Sequence, residues 1–235
     1  MSPSAPRPVA STFLDGLRSS LPLAPGVAVF ALVYGVVARQ AGLSLTATVA
    51  MSVLVFAGAS QFTAVSMWGQ ASGGLIVLAT FIINLRHLLM GASLAPYLRG
   101  ESKGWKALLA FGTVDESYAL AISRFLTGDG SRDFFLGAST TLYASWVLGA
   151  VAGGIMGGQV PDPGRWGIAL VFPLTFLGLL VPLLTNRVVW LVAATSGAVA
   201  VAAAPWLPGK GNILLAVLVG GMLGAFLEAR WATTE

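Results

Sequence analysis

The sequence contains no cysteine, which excludes disulfide bonds, thiolate metal sites and a cysteine nucleophile. Charged residues are also scarce, at 9% of the 235 residues, whereas soluble domains carry roughly 25%. The net charge of +4 comes from residues that lie singly along the chain and form no basic patch. Nucleic-acid binding is therefore excluded. We also predict no metal site and no cofactor.

The sequence lacks a phosphate-binding loop of the GxxxxGK[ST] type. The nearest match, Gly209-Lys210-Gly211, has neither the spacing nor the Ser or Thr that such a loop requires. The chain therefore cannot hydrolyse ATP by that route, and we predict that it is not an enzyme.

Long apolar runs are what the sequence has in abundance. Hydrophobic residues make up 56% of the chain and the mean hydropathy is +0.84, which indicates an integral membrane protein. Because lipid offers the backbone no hydrogen-bonding partner, the spans must be helices. The sequence thus predicts an all-α, polytopic protein with seven or eight hydrophobic segments, near residues 20–38, 43–69, 73–96, 105–126, 133–157, 166–185, 188–204 and 211–228.

These segments leave no room for a separate soluble domain. We therefore predict a single transmembrane domain over residues 1–235, which begins with a short polar leader at 1–19. The leader lacks an apolar region followed by a cleavage-like site, so we do not interpret it as a signal peptide.

The second segment is the least regular of the series. Its stretch Phe56–Phe62 places small residues, a hydroxyl and an amide in the middle of the span. Non-helical backbone survives at membrane depth only where protein buries it or a watery cavity meets it, and transporters use such breaks to bind ions and substrates. The distribution of Lys and Arg among the loops favours a segment that turns back, or an odd number of spans. We predict at least one broken or re-entrant helix.

Charged residues lie inside two neighbouring apolar segments. Arg86 is in the third segment, and Asp115 and Glu116 are in the fourth. Each lies about 15 positions from a turn near Glu101-Ser102, so at a rise of about 1.5 Å per residue they reach the same depth in adjacent antiparallel helices. An arginine cannot be neutralised by a pKa shift, so Asp115 or Glu116 is its expected counter-ion.

Other polar side chains accompany this pair. Asn84 and His87 share one face of the third segment, and Ser60 and Gln61 lie in the irregular stretch of the second. Two interpretations stay open: a structural ion pair with a satisfied histidine, or a pathway for a solute or a proton. The number of polar groups favours the pathway.

The predicted site suits a zwitterionic amino acid, although its residues do not by themselves select amino acids over other small solutes. An arginine or free N–H groups would hold the carboxylate, and acidic side chains would hold the ammonium. The predicted substrate-binding residues are Ser60, Gln61, Asn84, Arg86, Asp115 and Glu116. The predicted proton carriers are His87, Asp115 and Glu116.

A set of motifs follows in order along the first three quarters of the chain. These are Phe56–Phe62, Asn84–His87 followed by Gly91–Pro96, Asp115–Tyr118, and Pro173 with Phe176, Val181 and Pro182. Together they resemble the AzlC family, the azaleucine-resistance proteins that form the large subunit of bacterial branched-chain amino acid exporters. The resemblance implies a multi-pass exporter of valine, leucine and isoleucine-like substrates in the bacterial cytoplasmic membrane. It also implies proton-linked energy and a small AzlD-type membrane partner within the lipid bilayer.

Other functional classes remain as alternatives. The polar side chains could line an ion channel, or the chain could be a permease subunit of a multi-component system. An intramembrane serine protease would need a serine within reach of His87, and the candidates are Ser60, Ser93 and Ser196. The sequence contains neither a repeated filter sequence nor a rhomboid-like nucleophile motif, so we favour the transporter.

Overall fold

The computed structural model describes residues 11–159, 177, 180, 181, 184–207 and 211–231. Within these residues all regular secondary structure is helical, in agreement with the all-α prediction. The helices are α1 (Phe13–Ser20), α2 (Ala24–Gln40), α3 (Leu45–Val55), α4 (Gly58–Met67), α5 (Gly73–Leu94), α6 (Lys103–Phe111), α7 (Asp115–Thr127), α8 (Arg132–Gln159), α9 (Arg187–Ala203) and α10 (Gly211–Trp231).

The predicted number of spans, seven or eight, is not confirmed. Two of the described helices, α5 and α8, are long and apolar enough to cross a membrane, and the pair α1 and α2, bent by 66°, would make a third. Helices α3 and α9 and the stretch Leu215–Leu227 are apolar but shorter. Most of the predicted span 166–185 lies outside the described residues, and so do Pro173, Phe176 and Pro182.

Two of the predicted segments are each divided into two helices. The second segment is interrupted between the end of α3 at Val55 and the start of α4 at Gly58. The fourth is interrupted between the end of α6 at Phe111 and the start of α7 at Asp115. The first interruption agrees with the predicted broken helix, whereas the second interruption was not predicted from the sequence.

The described residues pack as two compact units. The larger unit contains residues 11–62 and 81–159, and the smaller contains 63–80 and the described residues from 177 onward. A single transmembrane domain over the whole chain stays a prediction.

Helix α8 is the central element of the larger unit, and α1, α2, α3 and α7 pack against it. Gly149 and Gly153, one turn apart on α8, lie against the backbone carbonyls of Ala28 and Leu32 on α2. A Cβ at either glycine would collide with those oxygens, so the two backbones approach as closely as in the small-xxx-small packing of membrane helices. This close approach packs α2 tightly against α8.

Part of the predicted polar leader forms α1. Its first turn is closed by a capping box, in which the Asp15 carboxylate accepts from the Thr12 N–H at 2.8 Å and the Thr12 hydroxyl accepts from the Asp15 N–H at 3.3 Å. Gly16 and Ser20 are buried, and Gly16 lies against the Phe134 carbonyl of α8. The described part of the leader is therefore a packed helix.

The smaller unit contains the apolar helices α9 and α10, which pack against each other. The Asn186 side chain caps the start of α9 by accepting an N–H at 2.9 Å. Gly220 of α10 lies against Ser196 of α9, and Asn212 Nδ2 donates to the Ala200 carbonyl at 2.9 Å. These contacts join the two helices without an ion pair among the described residues.

Candidate functional site

The first break contains an unusual backbone conformation. Phe56 has φ +36°, in the left-handed region that residues other than glycine rarely adopt and that is enriched at functional sites. Gly58 then begins α4 against Trp146 of α8, where a Cβ would come within 2.7 Å of the indole ring. The break is therefore held against α8 by a position that only glycine fits without a shift.

The second break is stabilised by one buried hydroxyl. Ser117 Oγ accepts from the Val114 N–H at 2.9 Å and donates to the Gly112 carbonyl at 2.7 Å. Gly112 lies against Ser139 of α8, where a Cβ would come within 2.8 Å of the serine side chain. Because the backbone groups of the break are satisfied in this way, α7 can begin inside the fourth apolar segment.

Aromatic rings connect the two breaks. The centroid of Phe56 lies 6.3 Å from that of Phe111, at the end of α6, and 5.1 Å from that of Tyr143 on α8. The rings of Phe111 and Tyr143 are 5.7 Å apart, and the Tyr143 hydroxyl donates to the Val53 carbonyl at 2.9 Å. That hydrogen bond satisfies one of the carbonyls left without a helical partner at the end of α3.

An ion pair joins α5 to the start of α7. Arg86 Nη1 lies 2.7 Å from Asp115 Oδ2, and the two side chains keep 36% and 49% of their surface exposed. Asp115 is in the first turn of α7, where free N–H groups and the helix dipole stabilise a negative charge. Glu116 lies in the same turn but makes no ion pair within the described residues. Of the two predicted counter-ions, Asp115 is the one that contacts the arginine.

A second polar contact joins α5 to the start of α4. Ser60 Oγ donates to Asn84 Oδ1 at 2.6 Å, and His87 Nδ1 lies 3.2 Å from the Asn84 carbonyl oxygen. The role of that ring nitrogen depends on the tautomer. The other ring nitrogen of His87 makes no hydrogen bond within the described part of the chain. It is therefore available to a proton or a ligand.

Gln61 does not join the polar group of α5. It is 1% exposed, and its Nε2 donates to Ser52 Oγ of α3 at 3.1 Å, so it links the two sides of the first break. Its Oε1 is buried and has no hydrogen-bond partner among the described residues. The structure therefore brings Ser60 together with Asn84, whereas Gln61 contacts Ser52 across the first break.

The comparisons identify the family. The family model described as AzlC protein matches residues 22–160, which include both breaks and every site residue described above. The chain belongs to the AzlC family. The resemblance found in the sequence motifs is thereby confirmed.

Three relatives are similar to this AzlC-family chain over long stretches. The inner membrane protein YgaZ of Escherichia coli strain K12 is 29% identical over 96% of this chain and 94% of its own length. An uncharacterized membrane protein of Archaeoglobus fulgidus is 33% identical over 82% of this chain and 85% of its own. The branched-chain amino acid transport protein AzlC of Bacillus subtilis strain 168 is 29% identical over 64% of this chain and 59% of its own. No solved structure matches.

The arrangement of serines does not favour a serine protease. Ser60 donates to Asn84, while Ser93 Oγ donates to the Met90 carbonyl and to the Tyr118 hydroxyl, each at 2.9 Å. Neither hydroxyl is hydrogen-bonded to His87, so these described residues contain no nucleophile and base in contact. The non-enzymatic interpretation agrees with the family.

Three side chains that hold the breaks were not predicted from the sequence, namely Ser52, Ser117 and Tyr143. For Ser117 a signal was present: Gly112 precedes two acidic residues, and acidic residues are enriched in the first turn of a helix. That pattern could have placed a helix start at Asp115. Nothing in the sequence distinguishes Tyr143 from an ordinary residue of an apolar helix.

Proposed function

We propose that this AzlC-family chain is a membrane transporter that exports branched-chain and other hydrophobic amino acids. The observation that carries the proposal is the Arg86–Asp115 ion pair, which lies at a helix break and remains partly exposed. Partly exposed charge inside an apolar segment is costly, so such residues usually serve a transport pathway. The name of the Bacillus subtilis relative supports amino acids as the substrate class.

The substrate is expected to separate the two members of the ion pair and to bind both of them. Its carboxylate would take the place of Asp115 on the Arg86 guanidinium, and its ammonium would bind the released Asp115 and Glu116. Asn84 and Ser60, already hydrogen-bonded to each other, would supply further polar contacts. Gln61 belongs to the proposed site through the first break, since its buried Oε1 lacks a partner within the described residues.

We attribute proton coupling to the same groups. An ionised Asp115 or Glu116 binds the ammonium of the substrate, whereas a protonated carboxyl does not, so proton and substrate compete for the site. Competition of this kind exchanges protons for substrate. His87 is the third proposed carrier, because one ring nitrogen makes no hydrogen bond in the described residues and can accept a proton.

The setting of the transporter is the bacterial cytoplasmic membrane, with a small AzlD-type subunit as partner. The name of the Escherichia coli relative, an inner membrane protein, supports the location. The partner rests on membership of the AzlC family. Copurification of both subunits after coexpression tests it, and a chain that transports fully alone would contradict a required partner.

Counterflow in proteoliposomes tests the substrate. Vesicles loaded with unlabelled leucine should accumulate labelled leucine with saturation, and Arg86→Gln should reduce the initial rate at least tenfold, roughly the effect of losing 1.4 kcal/mol of binding. Arg124→Gln is the matched control, because Arg124 forms an ion pair of 2.6 Å with Asp129 away from the site. Non-saturating current would indicate a channel, and equal loss in both variants would contradict a special role for Arg86.

An imposed pH gradient tests the coupling. In the wild type, substrate should move against its own gradient, in the direction opposite to the flow of protons. His87→Gln and Glu116→Gln are compared separately, and the carrier is the residue whose replacement keeps counterflow but abolishes gradient-driven accumulation. Wild-type efflux that is indifferent to the gradient would contradict proton coupling while leaving the substrate proposal intact.

A further inference from the structure

A cavity in the larger unit lies apart from the proposed substrate site. It has a volume of about 570 Å³ and lies between the end of α5, α6 and the start of α8. Its walls are mainly apolar, with Leu94, Leu98, Leu109 and Phe135 among them. None of the side chains proposed to bind substrate or protons lines it. The cavity is large enough for part of a lipid molecule.

The charged residues that line the cavity are all cationic. Arg99 and Lys106 line it, and Lys106 Nζ donates to the Arg99 carbonyl at 3.3 Å. No aspartate or glutamate lines the cavity, and within the described residues neither cation forms an ion pair. The nearby Glu101 is bound by Arg132 at 2.6 Å, so it does not neutralise them. A ligand that carries an anionic group would therefore meet uncompensated positive charge.

Aromatic residues indicate the depth at which Arg99 and Lys106 lie in the membrane. Tyr97 follows the end of α5 and stacks on Phe125 with 5.0 Å between ring centroids. Trp105, in the first turn of α6, lies under the Arg132 guanidinium at 4.7 Å. Tyr and Trp concentrate where a membrane span meets the headgroup region, and cationic loops concentrate on the cytoplasmic side. The cations thus lie at headgroup depth, with the apolar walls beside the acyl chains.

We propose that this cavity binds an anionic phospholipid. The phosphate would be held by Arg99 and Lys106, and an acyl chain would lie against Leu109 and Phe135. Basic pockets between membrane helices on the cytoplasmic side are suited to anionic headgroups. A zwitterionic lipid or a free amino acid brings an ammonium for which the lining offers no carboxylate. Since Thr113 of the second break also lines the cavity, the bound lipid would support the position of that break.

Native mass spectrometry of the purified chain in detergent tests the proposal. Phosphatidylglycerol should bind more tightly than phosphatidylcholine of the same acyl composition. Arg99→Gln and Lys106→Gln should each weaken the binding of phosphatidylglycerol roughly fivefold, and the double variant should weaken it roughly thirtyfold. These values assume that each cation contributes the attraction that a Lys or Arg usually has for an anionic lipid surface. Lys103→Gln is the matched control, because Lys103 lies on the same helix as Lys106, α6, but does not line the cavity.

A steric variant keeps the test independent of charge. Gly91 lines the cavity, and a Cβ there meets no atom within 4 Å, so Gly91→Leu should fill the space and weaken binding of phosphatidylglycerol without disturbing the fold. Equal binding of the two lipids, or a preference that survives the double substitution, would overturn the proposal. Full competition by inorganic phosphate or by leucine would also overturn it, by assigning the cavity to a soluble anion or to the substrate. Transport is not measured, so the proposed function is tested separately.

Discussion

Separating Arg86 from Asp115 gives the sharpest test of the site. We compare Arg86→Gln, Asp115→Asn and the double variant with the wild type. Two unit charges about 4 Å apart interact by about 1 kcal/mol in water and by about 4 kcal/mol at an effective dielectric constant of 20. Because the two side chains keep 36% and 49% of their surface exposed, we expect an interaction energy near the lower of these two values. The predicted coupling energy is about 1–2 kcal/mol.

The two single variants should not be equivalent. Asp115 left alone still lies in the first turn of α7, where the helix end stabilises a carboxylate by about 0.3–1 kcal/mol. Arg86 left alone lies within a continuous helix, and its buried Nε has no partner among the described residues. Asp115→Asn should therefore destabilise the protein more than Arg86→Gln, and the double variant should cost less than the sum of the two.

The assay is unfolding of the purified variants in mixed micelles by titration with sodium dodecyl sulfate, followed by circular dichroism. The cycle combines the four free energies of unfolding into one coupling energy. Additivity within about 0.3 kcal/mol would refute the ion pair, since distant and independent sites add to that extent. A larger cost for Arg86→Gln than for Asp115→Asn would refute the stabilising effect of the helix end.

Three further changes test the supports of the breaks. Gly58→Ala should destabilise the protein by about 1–3 kcal/mol through overpacking against Trp146, and Trp146→Phe should restore part of the loss in a thermal unfolding assay. Tyr143→Phe should cost about 1 kcal/mol in the same assay, because it removes the hydrogen bond to the Val53 carbonyl but keeps the ring contacts. Gln61→Leu should insert normally but impair leucine counterflow, and normal counterflow would contradict its assignment to the site.

The sequence predicted the pairing in the site better than the shape of the helices. The similar distances of Arg86 and of Asp115-Glu116 from one turn predicted that an acidic side chain would reach the arginine, because helical rise converts sequence distance into depth. The structure shows Asp115 as the partner. The contact of Ser60 with Asn84 also agrees with the predicted convergence of the second and third segments. Both predictions depend on the spacing of polar residues along the sequence, which can be read even where most neighbouring residues are apolar.

Periodicity was less informative across a break. The left-handed conformation at Phe56 changes the direction of the chain, so helical spacing no longer determines which way Gln61 points. The break at Gly112 lies in a run of apolar and small residues that hydropathy cannot distinguish from a continuous span. For the same reason the predicted count of spans was not confirmed: hydropathy averages over a window longer than α3, α6 or α7.

The two breaks also explain why a zwitterion suits this site electrostatically. Ser60 and Asp115 both lie in the first turn of a helix that begins at a break, and such helix starts attract anionic groups. A substrate carboxylate that replaces Asp115 on Arg86 exchanges one anion for another, and the released carboxylate gains the substrate ammonium. Two ion pairs then stand where one stood before. A ligand without the ammonium would leave Asp115 unpaired, so leucine should displace 4-methyl-2-oxopentanoate in competition for counterflow, and equal affinity would contradict this account.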